Sequence, residues 1–421
     1  MRQVWLKRVL AVGVMVLVAA SARAATVEEI RSRINDHNVE IKKLETQIEA
    51  YQQELRAVAK TSKNLQNEIA RLELTRQKLA SDIKLTEQQI GKTDLTIEEL
   101  TLAISDKDLT LKRRRAAVAE SLRQWRKLQN QSLFELVLSY DRLSDAWTEL
   151  SAFAAFDRQL KQDIDAVVEL KTDLEATKTA TETERARLAG LKERLADQRQ
   201  IAKDNQTEKD RLLNQTKNKE TNYKKLLAET VARKEDFEQE LFQLESQLRI
   251  TIDLGKLPVA GRGVLKWPLT NIFITQNFGQ TVDAKRLYVS GSHNGIDLRA
   301  AVGTPVMAAE AGIVLGTGDT DLVCRGASYG KWVLIDHGNG LSTLYAHLSL
   351  IKVAKGQTVS VGEIIGYSGQ TGYSTGPHLH LTVYATQGLR IDEYAFRSCA
   401  GAKVILPLAD PGAYLDPMLY L

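Results

Sequence analysis

From Ile30 to Val118 the sequence keeps one apolar register. Ile30, Ile34, His37, Ile41, Leu44, Ile48, Tyr51, Leu55 and Val58 follow one another in alternating steps of four and three, and Leu65, Ile69, Leu72, Leu79, Ile83, Ile90, Ile97, Leu100, Ile104, Leu111 and Val118 hold the same phase. A narrow apolar stripe with charge elsewhere is what two long helices need to bury one face each. At 1.5 Å per residue, such a helix would reach on the order of 150 Å. His37 occupies a seam position, where it reads as a polar register residue rather than a metal ligand.

Helix breakers are confined to the other end of the chain. All 7 Pro and all but three of the 26 Gly lie beyond residue 254. That shift predicts a charge-dense helical region over 25–254, a linker over 255–262, a turn-rich domain over 263–400 and a tail over 401–421. Within the helical region the heptad lapses around 131–156, where Gln131–Tyr140 is apolar all round and Trp147, Phe153 and Phe156 follow. It then returns more weakly through Leu188, Leu191, Leu195, Leu212, Tyr223, Leu226, Phe237, Leu244 and Leu248. Two long helices around an apolar interruption predict an antiparallel hairpin. Its far end is either a hydrophobic cap or a docking surface for a partner.

The formal charge of +4 first suggests an anionic partner, but residues 1–24 contribute four basic side chains and no acid. The rest is balanced at 53 basic against 53 acidic residues, which removes the broad basic footprint expected of a nucleic-acid binder. Those 24 residues read as a signal peptide: Arg2, Lys7 and Arg8, then an apolar run from Val9 to Ala20, then Ala22-Arg23-Ala24 with cleavage expected after Ala24. The run is short for a membrane span, and the alternative to cleavage is an uncleaved N-terminal anchor. The mature chain is therefore expected outside the cytoplasm, in the periplasm or cell envelope. In that oxidising compartment the two cysteines, Cys324 and Cys399, are simplest to read as one disulfide, the alternative being two buried thiols.

Residues 263–400 read as short strands divided by turns such as His337-Gly338-Asn339-Gly340, predicting an all-β sandwich or barrel. Five of the six histidines are here. In Gly376-Pro377-His378-Leu379-His380-Leu381 the two imidazoles sit at i and i+2, on one face of a strand, with the leucines on the other. In Ser292-His293-Asn294-Gly295-Ile296-Asp297 an imidazole and a carboxylate stand four apart, with Gly295 permitting a tight path. Either motif alone is weak. Together they offer what catalytic zinc takes, three ligands from His and Asp/Glu, with further histidines to move protons: His293, Asp297 and one of the pair His378/His380. His337 is read as a turn residue. Tyr288 is a possible oxyanion donor, with buried packing the better reading, and Asp321–Ser328 reads as a loop insertion.

His293-x3-Asp297, Tyr345-Ala346-His347-Leu348-Ser349 and Gly376-Pro377-His378-Leu379-His380, in that order, resemble the LytM/lysostaphin-type zinc metallopeptidases over roughly residues 263–390. The resemblance implies a compact antiparallel β domain with the metal in a groove. It also implies one Zn²⁺ held by His293, Asp297 and His380, with His347 and His378 as general base and transition-state stabiliser in an order left open. The combination of export signal, helical hairpin and terminal LytM-like domain is similar to the EnvC-type murein hydrolase activators. In that group the domain typically lacks zinc ligands and switches on separate amidases, and the hairpin tip engages a cell-division transporter complex in the inner membrane. This chain keeps the ligands. The expectation is thus an exported zinc endopeptidase that cuts peptide cross-links of peptidoglycan. The alternatives are a non-catalytic activator of amidases and, more weakly, a coiled-coil scaffold with an inert β domain. The EnvC likeness further implies that a hairpin helix could lie in the groove.

Overall fold

The computed structural model describes residues 27–59, 65–129, 143–248, 252–261, 263–281, 284–285, 290–374 and 376–421. The signal-peptide segment, residues 131–142 of the apolar segment around 131–156, and Tyr288 lie outside the described residues. Four long helices come first: α1 (Val27–Ala59), α2 (Leu65–Gln129), α3 (Leu143–Thr216) and α4 (Glu220–Ser246). None of the described helices is long and apolar enough to cross a membrane.

The chain divides into two compact units, one of residues 1–42 and 87–192, the other of 43–86 and 193–421. In the first unit α1 runs antiparallel to α2, as Arg31 meets Glu99 and His37 Nδ1 lies 2.6 Å from Gln88 Oε1. The seam histidine is accommodated by Gly91, where a Cβ would come within 2.7 Å of the His37 ring. A glycine in mid-helix, costly by propensity, is here the space a seam imidazole needs. In the same unit Lys107 of α2 pairs with Asp173 of α3 at 2.8 Å. In the second unit Thr86 bonds Gln198 at 2.8 Å and Glu73 pairs with Lys209 at 2.6 Å, so α2 and α3 are antiparallel there.

The heptad predicts two long helices, and the described residues form four helical segments. The break between α3 and α4 has a backbone cause: Lys217 and Asn218 adopt left-handed φ values of 49° and 54°. No Gly or Pro marks the spot. Asn is among the few non-Gly residues that tolerate this conformation, and the Asn222 side chain bonds the Thr216 carbonyl at 2.9 Å.

The C-terminal region is antiparallel β, as its turn-rich sequence predicts. The main sheet runs β1 (Ile274–Gln276), β2 (Ile296–Arg299), β9 (His378–Ala385), β6 (Leu341–Ile351), β5 (Lys331–Asp336), β4 (Gly312–Asp319) and β7 (Thr358–Val359). β3 (Pro305–Met307) pairs with β8 (Ile364–Ser368), which also pairs with β6. Alternation sorts the faces. Leu379, Leu381 and Val383 of β9 enter a core with Ile296, Leu298 and Tyr345, and His378, His380 and Thr382 point the other way.

Residues after 400 are part of the fold. β11 (Lys403–Ala409) pairs with β10 (Leu389–Ala395) as a separate hairpin, β12 (Tyr414–Leu415) joins β9, and Tyr420 and Leu421 are buried in the core. Cys324 and Cys399 form a disulfide with Cα atoms 5.3 Å apart, which ties the 321–328 loop to the segment after β10. The bridge lies in an apolar cluster with Phe396, Val404, Leu406 and Leu408, on which Phe237 of α4 seats. Residues read as a weak heptad therefore belong in part to this seat.

Candidate active site

β2 and β9 build the centre. Their register places Asp297 opposite His380 and Arg299 opposite His378, so these four side chains share one face of the sheet. His293 enters from the turn before β2, fixed by reciprocal backbone bonds with Gly279 at 2.8 and 3.0 Å. Gly295 lets this turn lie against β9: a Cβ there would sit 2.4 Å from the Leu381 carbonyl and 2.9 Å from the His380 ring. Gly295→Ala should therefore displace His293 from Asp297. A metal titration of the purified variant should show at least about tenfold weaker binding with the fold retained by circular dichroism.

The ligand-type atoms of His293, Asp297 and His380 all lie within 4.8 Å of one another, and all three residues are buried. Asp297 Oδ1 is 2.9 Å from His380 Nδ1 and 3.3 Å from His293 Nε2, and those two nitrogens are 3.1 Å apart. The opposite ring nitrogens are committed elsewhere. His293 Nδ1 bonds the Asn277 carbonyl at 3.0 Å and His380 Nε2 bonds Thr382 Oγ1 at 2.9 Å. Such outer bonds orient a histidine and leave its inward nitrogen to bind. Two imidazoles and a carboxylate converging in a buried space are a donor set that fits zinc. Burial alone would raise the Asp297 carboxyl, but hydrogen bonds from His293 and His380 hold it well below the usual range, so it is anionic.

His347 and His378 flank this trio. Their ring centroids are 4.7 Å apart, and His378 Nε2 is 3.5 Å from Asp297 Oδ1. His347 Nδ1 bonds the Thr371 carbonyl at 2.9 Å, and His378 Nδ1 bonds the Gly376 carbonyl at 2.8 Å. His347 reaches the site through a backbone irregularity. It has φ 59°, at a register shift in the β5–β6 pairing. Simple alternation from Tyr345 would send it into the core; the bulge sends Leu348 there instead and turns His347 toward His378. Burial, with the neighbouring His378 and His380 adding to it, holds His347 well below its ordinary value and hence neutral.

His337 lies apart, at the end of β5, bonded to the Ala311 carbonyl at 2.9 Å and Thr343 Oγ1 at 2.8 Å. Sequence reasoning missed Thr371, whose hydroxyl donates to the Leu348 carbonyl at 2.7 Å and accepts from Lys331 at 2.9 Å, which fixes the carbonyl that holds His347. It also missed Tyr329, which receives a hydrogen bond from Asn294 at 3.2 Å. Neither residue stands in a motif.

One wall of the cavity above the histidines is helical: Glu238, Leu241, Phe242 and Glu245 of α4 line the same space as His293, Asp297, His347, His378 and His380. The helix is held by stacking of Phe237 on Phe396 at 4.1 Å and by Glu240, which accepts from the backbone of Arg397 at 2.8 Å and Ser398 at 3.1 Å. Lys234 lies 4.0 Å over the Tyr373 ring. Glu245 accepts from Tyr414 Oη at 2.6 Å and from the Ala409 amide at 3.3 Å.

Burial pushes the Glu245 carboxyl up from 4.5 to about 7, although both hydrogen bonds oppose the rise. Between those values the seated helix holds a proton that the released helix gives up, so the seat weakens as pH rises through this window and is firmest below it. The change across the window is on the order of 3 kcal/mol. Protease cleavage of α4 should be faster at pH 8 than at pH 5.5, after correction for the protease's own profile, and Glu245→Gln should remove the difference.

A buried His-Asp-His cluster that could hold a metal ion, with two more histidines beside it, sits on an antiparallel β scaffold. Residues 291–393 match Peptidase family M23, so the C-terminal part of this chain is an M23 domain of the LytM type. The DD-carboxypeptidase/endopeptidase Mpg of Neisseria meningitidis serogroup B is 44% identical over 113 residues, which cover 27% of this chain and 24% of that protein. The peptidoglycan DD-endopeptidase ShyA of Vibrio cholerae is 49% identical over 89 residues, 21% of this chain and 19% of that one. The alignments thus span about a quarter or less of these relatives' length. Among solved structures, the catalytic domain of lysostaphin from Staphylococcus simulans is 27% identical, with 35% of this chain and 90% of that chain covered and a TM-score of 0.26.

Proposed function

We propose that this protein is an exported zinc endopeptidase that hydrolyses peptide cross-links of peptidoglycan, and that α4 restrains it. The observation that carries the reading is the convergence of His293 Nε2, Asp297 Oδ1 and His380 Nδ1, with His347 and His378 beside them. The named activities of the M23 relatives, which include peptidoglycan endopeptidases, support the substrate class, and a substrate of that kind calls for action outside the cytoplasm.

His293, Asp297 and His380 would hold one zinc ion. Bound zinc supplies a Lewis acid for the scissile carbonyl and lowers the pKa of a coordinated water toward neutrality. The chain's residues do the rest. The bonds from Nδ1 of His347 and His378 to backbone carbonyls fix the Nδ1–H tautomer and leave each Nε2 with its lone pair. A neutral His347 accepts a proton at Nε2. Once protonated, either ring offsets negative charge developing on the carbonyl oxygen and returns the proton to the leaving amine. Asp297 remains anionic throughout and compensates the cationic centre.

The wall formed by α4 supports restraint, because four of its side chains line the space a peptide must enter. The exposed Trp147, 71% accessible near the start of α3, supports an envelope partner at that end of the helices, for which we propose a cell-division transporter complex in the inner membrane. The competing reading, a non-catalytic activator of amidases, is favoured by the same restraining helix. Purified full-length protein and its Phe237→Asp variant, in which α4 loses its seat on Phe396, separate the two when zinc-loaded and incubated with peptidoglycan sacculi. The peptidase releases soluble muropeptides that disappear with chelator and in His378→Ala. An activator releases none by itself and accelerates an added amidase.

A further inference from the structure

A second cleft opens beside the metal-type cluster, on the side away from α4. Asp297, Gln276 and His378 line both it and the cavity walled by α4, so the two meet at the catalytic face. No α4 residue lines the second cleft. An extended peptide crossing the centre would therefore pass from the α4 side into a cleft bordered by Phe273, Thr270, Pro377 and Arg299.

Arg299 is placed there by the strand geometry that assembles the cluster. It follows Asp297 by two residues on β2 and stands opposite His378 on β9. Residues two apart on a strand share a face, and directly opposed residues lie about 5 Å apart at Cβ, so Arg299 extends the Asp297–His380 row by one pleat. Its neighbours in the strand, Ile296 and Leu298, are fully buried, and Arg299 itself is exposed. The guanidinium carbon lies 3.8 Å from the centroid of the Phe273 ring, and the Arg299 backbone amide bonds the Phe273 carbonyl at 2.9 Å. Among the described residues no carboxylate pairs with it, whereas the other arginine of the cleft, Arg71, is committed to Glu68. A guanidinium stacked on an aromatic face is pre-organised and keeps its N–H edge free for two parallel bonds to a carboxylate.

Gln276 supplies an independent sign of a missing ligand. Its Nε2 is buried and has no hydrogen-bond partner, and its backbone pairs with Asp297. An unsatisfied donor at the junction of two clefts is costly unless a ligand completes it.

We propose that Arg299, braced by Phe273, is a specificity-determining residue that binds a free carboxylate of the peptide substrate on the side of the scissile bond away from α4, with Gln276 Nε2 donating to the peptide between that anchor and the centre. The proposal rests on the endopeptidase reading and names the acidic character of its substrate. The anchor acts before any bond breaks, so it is read by binding.

The test uses full-length, chelator-treated protein and two probes: a cross-linked muropeptide with its free carboxylates, and the same muropeptide with those carboxylates converted to amides. Wild type should bind the first about fivefold more tightly, the size expected for a part-exposed bidentate pair. Arg299→Ala should lose that preference while still binding the amide, which a misfolded variant would not do, and Arg299→Lys should keep part of it. Equal affinity for both probes in wild type, an unchanged preference in Arg299→Ala, or no measurable binding of either probe overturns the proposal. Turnover of the same probes by zinc-loaded protein is a separate readout. A carboxylate preference without cleavage refutes the endopeptidase reading and leaves the anchor standing, and cleavage without preference does the reverse.

Discussion

His293→Ala, Asp297→Ala and His380→Ala should each weaken zinc binding by at least about a hundredfold, measured by titration against a competing chelator, whereas His378→Ala should leave it nearly unchanged. The expectation follows from orientation. Each of the three points its inward atom at the other two, and loss of any one leaves only two ligands. His378 approaches Asp297 only to 3.5 Å, and its other nitrogen is held by the Gly376 carbonyl. Its loss should instead lower peptide hydrolysis by roughly 10² to 10⁴, the usual contribution of a proton-transferring side chain. His347→Ala should behave in the same way. Ligand variants have a structural consequence as well. The Asp297 carboxylate is tied to three imidazoles, so Asp297→Ala removes the hydrogen-bond partner of the buried His380 and should also lower stability. Comparing metal affinity with thermal stability across the series distinguishes a metal centre from a hydrogen-bonded core network. In the latter, stability would fall and no variant would change zinc uptake.

The second large effect concerns α4. Phe237 is fully buried against Phe396, and a charged residue there cannot keep the seat. Replacing a buried Phe costs about 3–5 kcal/mol. If that cost falls on seating of the helix, the accessible fraction of the site should rise by roughly a hundredfold or more. Phe237→Asp should therefore digest cross-linked peptidoglycan much faster than wild type, and α4 should become the first segment cut by protease. Glu240→Ala, which loses two bonds to the backbone of residues 397 and 398, should give a smaller rise of a few fold. Faster digestion with α4 still protected would place the restraint elsewhere. Loss of the near-ultraviolet dichroism of the β domain would show instead that the substitution had unfolded the seat.

Much of the His-Asp-His face was legible in the sequence. A His-x-His repeat fixes two imidazoles on one side of a strand whatever the fold, and Leu379 and Leu381 announce which side is core. Gly295 signalled the close approach of the turn, and the structure shows what it approaches. His347 was found through its motif, not its geometry: strand alternation would have sent it into the core, and only the bulge at φ 59° turns it to the site. Arg299 was legible in principle, two residues after Asp297, yet without the register against His378 nothing distinguished it from a solvent-facing charge.

The helical region was read less completely. A heptad reports that a stripe is buried, not against what, and Phe237, Leu241 and Leu244 have the same spacing whether they face another helix or a β hairpin. The stop after Thr216 depends on two left-handed residues, Lys217 and Asn218, that carry no breaker signal. The residues after 400 were read as a tail, yet Pro and Gly turns punctuate them as they do the β domain. Those turns instead deliver β12 to β9 and place Tyr414 against Glu245, which is how the end of the chain comes to hold the helix beside the site.

In the proposed function the His293–Asp297–His380 centre breaks peptide bonds and α4 limits its access. The most direct measurement is mass spectrometry of the products formed when zinc-loaded Phe237→Asp chain acts on purified cross-linked muropeptide dimers. An access-limited endopeptidase should convert them to peptide monomers with glycan–peptide linkages intact, more slowly in wild type and not at all in Phe237→Asp combined with His380→Ala. Dimers left whole by the metal-loaded, helix-released chain, or products cut between glycan and peptide, would contradict that function.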